Sequence, residues 1–251
     1  MTNNSDQIGI KGKAGETQKS LQKKVVTLIN QSNSEKINQM LDNNPHIKKL
    51  NLEAKELGDK GAKVIGKVLS HNQTLTTLNL FNNRIGVEGG RAIGEGLLGN
   101  QTMITLNLGA NKIGDEGAKA MSKVLHQNQA LKKLNLYYNE ISDDGAKVIA
   151  ESLLSNQTMI TLNLGANKIS AEGAKALDYG LKSNKTLTRL PIWIKDIDGN
   201  TVIFENYTTG QKLKSLANKM VEKIADVDQV IKSIEVYDES HLIWLPKHII
   251  G

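Results

Sequence analysis

The chain has 251 residues, of which 39% are hydrophobic and only 4% aromatic, so its core must be built from Leu, Ile, Val and Ala. With no cysteine it can form neither disulfides nor Cys-based zinc sites. The net charge of +6 is not gathered into a basic arm, and no run approaches the roughly 20 apolar residues of a membrane span. Clustered Lys/Arg interleaved with stacking aromatics is also missing, which argues against a nucleic-acid partner.

Residues 1–16 are polar and Gly-containing and read as a disordered leader. They lack an apolar h-region, so they are not read as a Sec signal, and the chain is expected in the cytoplasm where it is made. Residues 17–43 carry Leu21, Val25, Leu28 and Ile29, then Ile37, Met40 and Leu41, at helical spacing. They are expected to form a helical N-terminal cap.

Residues 44–190 repeat. Asn72, Asn100, Asn128, Asn156 and Asn184 recur every 28 residues, and one period earlier lies Asn44. Leu75, Leu78, Leu80, Asn83 and Ile85 form one L-x-x-L-x-L-x-x-N-x-I unit. Met103, Leu106, Leu108, Asn111 and Ile113 form the next, followed by units ending in Asn139-x-Ile141 and Asn167-x-Ile169. An earlier unit through Ile47, Leu50, Leu52 and Leu57 has Lys55 where the others have Asn. The L-x-L step places two leucines on one side of a short strand. The second half of each unit, for example Gly117, Ala118, Met121, Val124 and Leu125, has the spacing of one helix face. Neither element can bury its apolar side alone, but stacked units can. The expected fold is therefore α/β: five units in a solenoid arc, with a parallel inner sheet and outer helices. Asn83, Asn111, Asn139 and Asn167 are expected to turn inward and satisfy backbone groups of the bend between units. The Asn ending each unit is expected to take the left-handed conformation that terminates helices.

This unit, with Gly61-Ala62, Gly117-Ala118, Gly145-Ala146 and Gly173-Ala174 opening its helices, resembles the ribonuclease-inhibitor type of leucine-rich repeat. Lys55 and Gly89-Gly90 depart from that pattern. The resemblance implies a protein partner held on the concave face, an enzyme that is thereby inhibited or sequestered. Lys/Asn/Ile-rich usage and near-identical repeats are similar to leucine-rich-repeat effectors of intracellular bacteria, which implies delivery into host cytosol.

Residues 191–251 break the pattern and read as a C-terminal α+β cap or small domain. Ile192–Ile194 and Val202–Phe204 flank Asp198-Gly199, a hairpin signal. Leu213, Leu216, Met220, Val221 and Ile224 suggest a helix, with IEVYD and LIWLP after it. The order is similar to a ubiquitin-like grasp and raises the alternative of a ubiquitin-pathway adaptor.

Chemistry-bearing patterns mostly dissolve into the repeat. Gly94, Gly96 and Gly99 match G-x-G-x-x-G, but inside an outer helix and not after a strand. Gly61–Val68 imitates a phosphate-binding loop without its terminal hydroxyl. The five histidines lack metal-ligand spacing, and the carboxylates of Asp59, Asp115, Glu116, Asp143 and Asp144 recur with the repeat and read as helix caps. No catalytic, cofactor or metal site is read, and the chain is expected not to be an enzyme. One enzymatic alternative is kept, because arrays of the Ran GTPase activators resemble this one. Arg84 would then assist charge stabilisation, although Lys112, Glu140 and Lys168 share its slot.

Period-2 geometry predicts the concave surface. It holds Glu53, Asn79, Phe81, Asn107, Lys133, Asn135 and Tyr137, then Tyr138 in the following slot, with Arg84, Lys112 and Glu140 at the rim. Phe81, Tyr137 and Tyr138 are expected to stand on solvent where the intervening units carry Gly-Ala. Tyr is a common hot-spot type, so these rings are the expected anchors for a partner protein. The asparagine row from Asn51 to Asn163 offers amides to a partner, or else bonds to itself. The third and fifth units share NQTMITLNLGANKI, which marks a duplicated two-unit block. The protein alone is expected to be a monomer.

Overall fold

The computed structural model describes residues 18–195 and 201–204. The leader at 1–16, the turn at Asp198-Gly199 and everything read beyond Phe204 lie outside the described residues. Helices α1 (Gln18–Asn30) and α2 (Ser34–Asp42) come first, followed by five strand–helix units. These run β1 (Lys49–Asn51), α3 (Gly58–His71), β2 (Thr77–Asn79), α4 (Val87–Leu98), β3 (Thr105–Asn107) and α5 (Gly114–Gln127). They continue with β4 (Lys133–Asn135), α6 (Asp143–Leu153), β5 (Thr161–Asn163) and α7 (Ala171–Leu181). A hairpin of β6 (Ile192–Lys195) and β7 (Thr201–Phe204) closes the described chain.

The five unit strands form one parallel sheet in sequence order, with Leu50, Leu78, Leu106, Leu134 and Leu162 in register. All five leucines are buried beneath the sheet. The α/β solenoid is thus as expected. Strands stack about 4.8 Å apart, whereas packed helices need about 8–10 Å. The sheet therefore lines the inside of the curve.

Two asparagine rows weld neighbouring units. Asn111 Oδ1 accepts from Asn83 N (3.0 Å) and Ile85 N (2.9 Å) of the preceding unit. Its Nδ2 donates to the carbonyls of Leu80 (3.1 Å), Leu108 (2.8 Å) and Gly109 (3.1 Å). Asn83, Asn139 and Asn167 repeat the scheme. The second row does not take the expected left-handed form. Asn72 and Asn128 are extended, at φ −75° and −82°. The reason is that their amides span units: Asn100 Nδ2 donates to Leu69 O (2.8 Å) and Asn72 O (2.9 Å), while Oδ1 accepts from Thr102 N and Met103 N. An extended cap aims the side chain at both neighbours, which a left-handed one would not.

Helix starts are capped from the unit before. Asp143 Oδ1 accepts from Ser170 N (2.7 Å) and Gly173 N (3.0 Å), and its Oδ2 from the Ser170 hydroxyl (2.6 Å). Asp115 serves Ser142 and Gly145 alike, and Asp59 serves Gly86 and Gly89. Asp143→Ala is expected to cost about 2 kcal/mol, since it uncovers orphan amides at a helix terminus. Urea unfolding checks this, with Asp144→Ala, whose carboxylate is exposed, as the near-neutral control.

The glycine patterns inside the helices serve packing. A methyl group at Gly96 would fall on the Gly66 carbonyl, and one at Gly66 on the Ala92 carbonyl. Gly180 meets the Ala150 carbonyl in the same way. Both sequence decoys are therefore contact points between adjacent helices.

At the ends, α1 and α2 bury Leu21, Val25, Ile37 and Leu41 in the same core as the first unit. At the other end the repeat register runs on past Pro191. Leu162 N donates to Arg189 O and Leu164 N to Pro191 O. Leu190 and Ile192 are buried one period after Leu162 and Leu164.

Candidate protein-binding face

The concave face is a grid whose rows run across the units. The strand-exit row reads Glu53, Phe81, Gly109, Tyr137, Gly165 and Trp193, so rings and glycines alternate from the second unit onward. Phe81 and Tyr137, expected on solvent, are in fact only 7% and 6% exposed. The glycines explain the difference. A methyl group at Gly109 would lie 3.0 Å from Phe81 Cδ2, and one at Gly165 3.1 Å from Trp193 Nε1. Phe81 and Trp193 thus lie over the empty slots beside them. Trp193 also meets Tyr137 edge-on, with centroids 5.4 Å apart.

Tyr138 behaves differently. It is 61% exposed, with its ring 6.3 Å from that of Tyr137. Its backbone is left-handed, at φ 49°. Ala54, Asn82, Ala110 and Ala166 share that conformation in the same slot, so the bend imposes it. Burial, with the Tyr138 phenol beside it, raises the Tyr137 hydroxyl above its ordinary 10.0. The folded state then keeps a proton that the unfolded state releases above pH 10, so this stability is lost as pH rises through that range. Tyr137→Phe is expected to flatten that part of a pH–stability curve.

The asparagine row is largely self-bonded. Asn79, Asn107 and Asn135 each accept with Oδ1 from the backbone N–H two residues on, at 2.9–3.0 Å. Asn135 Nδ2 donates to Asn107 Oδ1 (2.9 Å), and Asn79 Nδ2 to Glu53 Oε2 (3.0 Å). Asn107 and Asn135 are buried, Asn79 is half-buried, and Glu53 and Lys133 are exposed. At the rim Arg84 pairs with Glu56 (2.8 Å) and Glu140 with Lys168 (3.1 Å), all well exposed, and Lys112 stands exposed between the two pairs. Such surface pairs contribute only about 0–1 kcal/mol, so a partner can re-pair them.

Trp193 is the residue that single-unit reasoning misses on this face. The signal was present: it stands 28 residues after Gly165. Among the described residues no group of three or more His, Asp or Glu is placed to hold a metal ion. No helix among them is long and apolar enough to cross a membrane.

Four segments, 71–94, 99–122, 127–150 and 155–177, match the family described as "Leucine Rich repeat". These four segments are leucine-rich repeats. No curated protein matches it in sequence. Among solved structures it is similar to "Leiomodin-1 Actin-Binding Site 2 (ABS2)", at 20% identity and TM-score 0.48 over 63% of this chain and 88% of that one. It is also similar to a tropomodulin C-terminal domain from Caenorhabditis elegans, at 10% identity and TM-score 0.42 over 64% and 93%. Leucine-rich repeats and other solenoids offer extended concave surfaces for binding.

Proposed function

We propose that this leucine-rich-repeat array, of the ribonuclease-inhibitor type, binds a partner protein on its concave face with Tyr138 as the anchor. The partner is an enzyme that the array covers and inhibits, and the setting is that of a bacterial effector acting in host cytosol. The observation that carries the binding site is an exposed Tyr in a left-handed slot where the other units use Ala or Asn. Holding a large, mostly exposed side chain in that conformation is costly in the free protein, and such residues concentrate at functional sites. Lys133, Arg84, Lys112, Glu140 and Glu53 form the charged surround, and Phe81, Tyr137 and Trp193 are the rigid floor beneath. Asn79, Asn107 and Asn135 fix that floor. A preorganised floor lowers the ordering cost of binding.

Tyr138→Asn is the discriminating variant, because Asn82 already occupies the equivalent slot. Stability should hold or rise slightly, since Asn tolerates this backbone conformation. Affinity should fall about 30-fold, the loss of a hot spot of about 2 kcal/mol. The measurement is titration calorimetry against the partner recovered by the wild-type chain, beside Tyr179→Asn on the outer helix α7. Unchanged affinity for Tyr138→Asn would remove the anchor.

A further inference from the structure

Four of the asparagines that weld the units sit in N-x-T triplets: Asn72-Gln73-Thr74, Asn100-Gln101-Thr102, Asn156-Gln157-Thr158 and Asn184-Lys185-Thr186. These are acceptor sequences for N-glycosylation, read on an extended chain. In the folded protein Asn72 and Asn100 are 1% exposed and Asn156 3%. Both amide hydrogens of Asn100 are donated, to Leu69 O and Asn72 O, and both of Asn184, to Leu153 O (3.1 Å) and Asn156 O (2.6 Å). Asn156 Nδ2 donates to Leu125 O (2.6 Å) and Thr158 Oγ1 (3.2 Å).

We infer that these four asparagines are glycosylation sites of the unfolded chain only, so that glycosylation and folding exclude one another. The transfer moves an oligosaccharide from a lipid-linked diphosphate donor to Nδ2. A bond forms between the sugar C1 and Nδ2, one Nδ2 proton is released, and the lipid diphosphate leaves. The product has one amide hydrogen where Asn100 and Asn184 use two. At Asn72, Asn100 and Asn156 it also carries a sugar where the structure leaves no surface, and Asn184 is half-buried. Once modified, a unit cannot dock on the unit before it. The transferase meets the chain before its units dock, so folding succeeds only where the transferase is absent.

Two features of the chain supply internal controls. Asn30-Gln31-Ser32 is also a triplet, but Asn30 is exposed at the end of α1, and a glycan there is compatible with the fold. The fourth unit has Ala130 in place of the triplet Thr, and Asn128 still makes its bonds, with Oδ1 accepting from Ala130 N (2.9 Å) and Nδ2 donating to Asn100 O (2.6 Å). Replacing the triplet Thr by Ala therefore removes the acceptor signal and leaves the weld.

The test directs the full chain into the secretory pathway of a eukaryotic cell with an added cleavable signal. Glycan occupancy is read site by site by mass spectrometry, and folding by resistance to protease. The wild-type chain is expected to carry glycans at Asn72, Asn100, Asn156 or Asn184 and to lose its protease resistance. Tunicamycin, which blocks formation of the lipid-linked donor, should restore resistance to the same chain without any substitution. The variant T74A/T102A/T158A/T186A, which keeps the triplets at Asn3, Asn30 and Asn206, should regain resistance without the drug. A resistant wild-type chain glycosylated at Asn100 overturns the inference, as does a resistant one left unmodified at all four sites. Failure of tunicamycin to restore resistance overturns it too.

Discussion

Asn111→Leu is expected to destabilise the array by about 4 kcal/mol, more than any substitution on the exposed surface. The side chain is buried and makes five hydrogen bonds, all to backbone groups of its own and the preceding unit. Leucine has the same branched outline and the same number of side-chain heavy atoms, so no cavity opens and the loss reports chiefly unsatisfied amides and carbonyls. Because each unit touches only its neighbours, the damage should localise at the junction of the second and third units. Hydrogen exchange should show Asn83, Ile85 and their helix opening first, and urea unfolding should broaden. Lys55→Leu is the matched control in the same slot of the first unit, where the side chain is exposed. It should change stability by less than about 0.5 kcal/mol.

Gly96→Ala is expected to cost about 3 kcal/mol, the upper range for forcing atoms into a packed core. Helix propensity alone predicts a gain of up to about 1 kcal/mol for the same change, so the sign decides between the two. A methyl group there overlaps the Gly66 carbonyl, which belongs to the rigid backbone of α3 and cannot move aside as a side chain would. Gly99→Ala meets nothing within 4 Å and should be neutral or stabilising. Thermal melting of the pair, three residues apart, separates helix contact from any role of the glycine pattern as a loop.

How far the sequence carried the reading depended on whether a property belongs to one unit or to two. The strands, the inward leucines and the ladder asparagines follow from the 28-residue period alone, and the structure places them as read. Phe81 and Tyr137 did not follow, because alternation along a strand says which way a Cβ points and nothing about the vacancy next door. Gly109 is that vacancy for Phe81, and Tyr137 is covered by Trp193, which lies over Gly165; all three stand in the same row of the sequence. The unit-ending asparagines were misjudged for a related reason. Asn at a helix end suggests a left-handed cap, but here its amide is needed by the neighbouring unit, and an extended backbone delivers it. Trp193 was hidden by a boundary drawn at the proline, although the register continues through it.

The alternation of rings and glycines ties each ring to the unit beside it. Removing the third unit would take away Gly109 and set Phe81 beside Tyr137, with no vacancy left for the Phe81 ring. Removing the third and fourth together would set Phe81 beside Gly165, the slot that Trp193 already fills. Removing the fourth alone would leave Gly109 to Phe81 and Gly165 to Trp193. Shortening of this surface, by recombination or by design, is therefore tolerated where each ring keeps a glycine of its own, whatever the number of units lost.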